Sequence, residues 1–110
     1  MISIRPTAIA HISQLLATAM DDAETALHGS MDPLRDMALF RHRLHAINSY
    51  MMDAVKAAKN RPADEANMYM TIEFLHEMQT KLAQAEAIEH QFAQLVKTRP
   101  QAALPSALAT

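Results

Sequence analysis

The sequence has no cysteine. That absence excludes a disulfide framework, a thiolate metal site and a cysteine nucleophile. It has one glycine among 110 residues, too few for the tight turns of an antiparallel sheet and for a Gly-rich phosphate loop. Only 5% of the residues are aromatic, and there is no tryptophan. No stretch approaches the roughly 18–20 consecutive apolar residues of a membrane span. Charge of one sign is also missing. A formal net charge of −2 offers no basic stripe for nucleic acid. Ile2-Ser3-Ile4 is followed at once by Arg5 and Pro6. No secretory signal peptide is expected from so short a run.

What is present is material for helix packing. Half of the residues are apolar, mostly Ala, Leu and Ile, with nine Met. Ala, Leu and Met lose little side-chain entropy in a helix. The length suits one domain with a modest core. The reading is an all-α chain: a single helical domain over residues 1–99 and a flexible tail over residues 100–110.

Three helices are expected, at about 6–28, 33–59 and 64–98. Pro6 suits a first helical position, where its missing N–H costs nothing. Ile9, Ile12, Leu16, Met20, Ala23 and Leu27 then recur at steps of three and four. Gly29 is expected to end this helix in a left-handed cap. Asp32-Pro33 pairs an N-cap residue with a proline at the first helical position. Met37, Phe40, Leu44, Ile47, Met51 and Val55 form the second stripe, close to a heptad seam. Lys59-Asn60-Arg61-Pro62 breaks the pattern, since Pro62 disfavours a helical Arg61. Asp64 or Asn67 can cap the third helix, whose expected apolar row is Met68, Ile72, Leu75, Met78, Leu82, Ala85, Ile88, Phe92 and Leu95.

The third helix would be about 50 Å long at ~1.5 Å per residue. Its far end should therefore lean on the first helix or on another chain. The short connection at Pro62 makes the second and third helices antiparallel neighbours. The expected architecture is an antiparallel helical hairpin of two long helices, with a shorter N-terminal helix in front.

Catalytic and metal chemistry find little support. His42 and His45 stand three apart, and Glu73 with His76 forms one Glu-x-x-His pair. A di-iron bundle needs two such pairs and two more glutamates. Glu73, Glu86 and Glu89 belong to no nucleophile–base–orienter set. No enzyme activity, cofactor, metal or small-molecule substrate is expected. Met52, Met70 and Phe74 lie off the main stripes, and a wide apolar face with flexible thioethers suits contact with other proteins. Together with Phe92 and Leu95 at the far end of the third helix, they are the expected protein interface.

A helix of about two dozen residues, the polar loop Lys59-Asn60-Arg61-Pro62-Ala63-Asp64-Glu65, and a longer helix closing in Phe92-Ala93-Gln94-Leu95-Val96-Lys97-Thr98-Arg99 resemble the needle and inner-rod subunits of bacterial type III secretion systems. The resemblance covers residues 34–99, and the closing segment is closer to the rod branch. Glu65 stands near the place of a second loop proline in many members. Residues 100–110 extend past the point where members of that family usually end. The resemblance implies a structural subunit, made in the bacterial cytoplasm, exported, and stacked helically around a conduit without cofactor or catalysis. The alternative from another class is a small helical chaperone or antiactivator that sequesters a partner through an apolar helix face. Either role implies self-association or a helical partner protein.

Overall fold

The computed structural model describes residues 3–60, 62 and 64–98. Three α-helices account for nearly all of them: α1 (Pro6–Gly29), α2 (Pro33–Lys59) and α3 (Glu65–Thr98). There is no strand among the described residues. The expected tail at residues 100–110, Arg61 and Ala63 of the loop, and Arg99 lie outside the described residues.

Local chemistry accounts for the helix ends. Pro6 opens α1 as expected, and the Arg5 carbonyl accepts the first bond, from Ile9 N at 3.0 Å. Asp32 caps α2 twice over. Its side chain accepts from Arg35 N at 3.2 Å, and its carbonyl accepts from Asp36 N at 3.1 Å, which satisfies donors that a helix start leaves orphaned. Asp64 is the residue that serves α3, since its Oδ1 accepts from Ala66 N at 3.1 Å and its carbonyl accepts from Met68 N at 2.8 Å. Lys56 and Lys59 close α2, where cations favour the negative end of the helix dipole.

The left-handed cap expected at Gly29 is not formed. Gly29 is the last residue of α1, and no described glycine has positive φ. The chain instead leaves through an extended Ser30, at φ −68° and ψ 129°. Ser30 is buried. Its hydroxyl donates to Asp36 Oδ2 and accepts from Asp32 N at 3.2 Å. These bonds fix the corner, so a reversal of backbone hand is unnecessary.

The helices run up, down and up. Asp22 on α1 meets Arg43 on α2 at 2.6 Å, and His11 meets Tyr50 edge to face with centroids 5.6 Å apart. Those pairs set α1 and α2 antiparallel. Phe40 and Phe92, 6.4 Å apart, and Arg41 with Glu89 at 3.4 Å join the start of α2 to the end of α3, and the short connection from Lys59 to Glu65 joins their other ends, so these two are antiparallel as well. The N-terminal segment ties α1 to α3, because Ile4 N donates to Thr71 Oγ1 at 2.8 Å in the interior. The result is an elongated bundle of 66 × 20 × 17 Å. Each helix packs on both others, and α1 makes its most extensive contact with α2. The α2–α3 hairpin is therefore present, and α1 closes it into a bundle.

The stripes of α1 and α2 face the core much as their spacing predicts. Ile12, Leu16, Met20 and Ala23 are buried, as are Met37, Phe40 and Ile47, with Leu44, Met51 and Val55 packed against them. The row expected on α3 holds at Met78, Ala85, Ile88 and Phe92 and fails at Leu75 and Leu82. The residues that α3 buries are Thr71, Phe74, Met78, Ala85, Ile88 and Phe92. Leu75 and Leu82 are 45% and 40% exposed. The geometry explains the slip. Met68 to Leu95 is about 7.5 turns at ~3.6 residues per turn, so eight steps of three and four wind the expected row halfway around the helix. Thr71 to Phe92 is about 5.8 turns in six steps, including Lys81, and stays near one face.

The far end of α3 leans on its own chain. Phe92 is fully buried against Phe40, and Ile88 is also in the core. A helix as long as α3 is covered because α2 and α1 both lie along it.

Candidate interaction surface

The two flanks of α2 face different neighbours. Asp36, Leu39, Arg43, Ala46 and Tyr50 line depressions shared with α1. Arg41 reaches Glu89 on α3, so the row Arg41, His45, Asn48 and Met52, at helical steps of four and three, borders α3. On α3 the matching flank is the row Met68, Ile72, Leu75, Gln79 and Leu82, with Glu86 and Glu89 further along.

The antiparallel register fixed by Arg41 and Glu89 sets Met52 between the levels of Leu75 and Leu82. Met52 is 48% exposed. Three large apolar side chains thus share one outer groove. Toward the start of α3 the groove continues into a depression lined by Glu65, Met68, Tyr69 and Ile72, where Tyr69 is also exposed. From Met68 to Leu82 the strip is about 21 Å long. Its far end is closed off by the Arg41–Glu89 pair, and polar residues share its rows: Gln79 between Leu75 and Leu82, and His45 and Asn48 beside Met52, all exposed.

The structure splits the five residues expected at an interface. Met52 and Met70 are exposed, Met70 on the opposite flank of α3 from the strip. Leu95 is half-buried. Phe74, 2% exposed, and Phe92, at 0%, are core residues and cannot contact another protein. Phe74 belongs to the true seam of α3, and Phe92 fills the centre of the closed end. Leu75, Leu82 and Tyr69 are exposed large apolar side chains that the expectation did not place on the surface. A signal was available: stepping back from Phe92 by four and three passes Ile88, Ala85, Lys81, Met78, Phe74 and Thr71 in one phase. The polar Thr71 and Lys81 hide that phase. Thr71 is tied up by Ile4 N and donates to Asn67 O at 2.7 Å. Lys81 is half-buried, with its ammonium 3.1 Å from Glu77, which lets its stem lie on apolar surface while the charge stays wet.

The histidines and carboxylates do not converge. His42, His45, Glu73 and His76 are all exposed on two different helices. Among the described residues no group of three or more His, Cys, Asp or Glu could hold a metal ion. No described helix is long and apolar enough to cross a membrane. Compared with protein-family models, with curated proteins and with solved structures, the chain matches none of them.

Proposed function

We propose that the protein is a non-enzymatic helical interaction subunit that receives an apolar helix of a partner protein on the α2–α3 groove. The observation that carries this reading is the exposure of Met52, Leu75 and Leu82 along one groove, at 48%, 45% and 40%. Apolar side chains along one groove, with polar ones among them, suit an amphipathic helix laid into it. The two methionines Met52 and Met68 add an adaptable surface.

Two forms of this role differ in what the hairpin must do. A needle or inner-rod subunit of the type III secretion kind, which the loop and closing segment of the sequence resemble, would stack hairpins on one another. A chaperone or antiactivator would hold one segment of one partner. The second form is favoured by α1, which closes the hairpin and buries Ile12, Leu16 and Met20 against it. Stacked hairpins would compete with α1 for that face.

Light scattering over a dilution series separates the two forms. The expected result is a discrete monomer or dimer at all concentrations, with growth into polymers marking the needle or rod form instead. A Leu75→Ser/Leu82→Ser variant is expected to keep its helix content and lose capture of helical partners. Undiminished capture by that variant would end the proposal for this groove.

A further inference from the structure

The α1–α2 contact, on a different face from the interaction strip, leaves a slot of about 340 Å³. Side-chain size explains it. Ala19 on α1 and Ala46 on α2 are too short to fill the space between the helices at this level. Leu15 and Ile47 give the slot apolar walls. Gln14 and Thr18 form a polar edge, with Gln14 Nε2 donating to Thr18 Oγ1 at 3.3 Å. The volume falls within the range of small-molecule sites, about 300–1,000 Å³.

Contacts between the helices hold both ends of the slot. At one end Arg43 Nη1 donates to Asp22 Oδ2 at 2.6 Å. At the other, His11 meets the Tyr50 ring edge to face. Arg43 and Tyr50 are about 10 Å apart along α2, and His11 and Asp22 about 16 Å apart along α1. A ligand lying in the slot has a length between these two. An extended eight-carbon chain spans about 9 Å at ~1.5 Å per bond, which leaves room for a small polar head.

Charge decides the class of ligand. Asp22 already balances Arg43. An anionic head beside Arg43 would also lie against the Asp22 carboxylate, and a cationic head would face the guanidinium. Either charge would leave water without a partner of its own, which is costly. A neutral head escapes both costs. Arginine has five N–H donors, and among the described residues Arg43 commits only Nη1, so the others can donate to a neutral oxygen.

We propose that this slot binds an uncharged amphiphile of about eight carbons, with its head oxygen accepting from Arg43 and its chain lying over Leu15, Ala19, Ala46 and Ile47. The inference goes beyond the proposed function and does not depend on it, since the strip lies on the α2–α3 face.

The test titrates 1-octanol into the full chain and follows backbone amide NMR shifts. Saturable shifts at Thr18 and Ile47 are expected. Octanoate and octylamine should bind at least about tenfold more weakly, because each brings an unbalanced charge. Ala46→Leu fills the slot and should abolish saturable octanol binding while helical circular dichroism is retained. Thr18→Leu fills it from the α1 side and serves the same purpose if the first variant does not fold. Asp22→Asn removes the counter-charge of Arg43, so that variant should reverse the preference and take octanoate over octanol. Shifts that do not saturate would overturn the proposal. So would undiminished octanol binding in a folded filled variant, or shifts confined to Leu75 and Leu82, which would put the alcohol on the strip. A parent that prefers octanoate, or an Asp22→Asn variant with the parent's preference, would overturn the uncharged class of ligand.

Discussion

Residues 65–82 and 83–98 of α3 belong to one continuous helix, yet they are covered very differently. In the later part the apolar residues Ala85, Ile88 and Phe92 form one narrow row, and all are buried between α1 and α2. The earlier part carries two adjacent rows. Thr71, Phe74 and Met78 turn inward, and Leu75 and Leu82 stand a residue further round, open to solvent. The later part is also where the aromatic pair Phe40–Phe92 and the Arg41–Glu89 bond lie. Its apolar face is only as wide as its two neighbours can cover. In the earlier part the face is wider than that, and the surplus is the candidate interface. An apolar residue on a helix therefore becomes core or docking surface according to the angle it subtends to the neighbouring helices.

The strongest way to break the contrast is Phe92→Ala. Emptying a fully buried aromatic site costs about 3–5 kcal/mol, a large share of the stability of a domain this size. Urea unfolding of the variant is expected to show a midpoint shifted far down or no folded baseline. A near-parental midpoint would mean that the closed end is not the anchor of the fold.

Thr71→Val tests the inward row of the earlier part. The substitution keeps the shape but strands the buried Ile4 N–H, at a cost of about 1–3 kcal/mol. Hydrogen exchange at Ile4 should accelerate along with the loss of stability. Unchanged exchange there would show that the N-terminal segment is not held by this bond.

Leu82→Asp gives the smallest expected effect. At a position 40% exposed, the change costs about 1 kcal/mol through helix propensity and lost partial burial. The folded spectrum should survive with a slightly lower midpoint. Outright unfolding would assign Leu82 to the core and remove the strip from the surface.

The sequence alone determined a good deal about this protein. Proline and aspartate chemistry at Pro6, Asp32-Pro33 and Asp64 placed the helix starts within a residue, because caps act over a single turn and need no distant partner. The rows of α1 and α2 were legible because each helix has one apolar stripe. The hairpin followed from the short connection at Pro62.

Only the tertiary structure decided which of the two overlapping rows on α3 faces inward. Steps of three and four are compatible with both rows, and a helix rotated by one residue, about 100°, exchanges them. The packing of α1 and α2 settles that rotation, and with it the fate of Phe74, Leu75 and Leu82. The position of α1 was beyond reach for the same reason. Its stripe says that it must cover something, whereas the Ile4–Thr71 and Asp22–Arg43 contacts that seat it join residues far apart in the chain. Periodicity is a local property, and burial depends on what lies opposite.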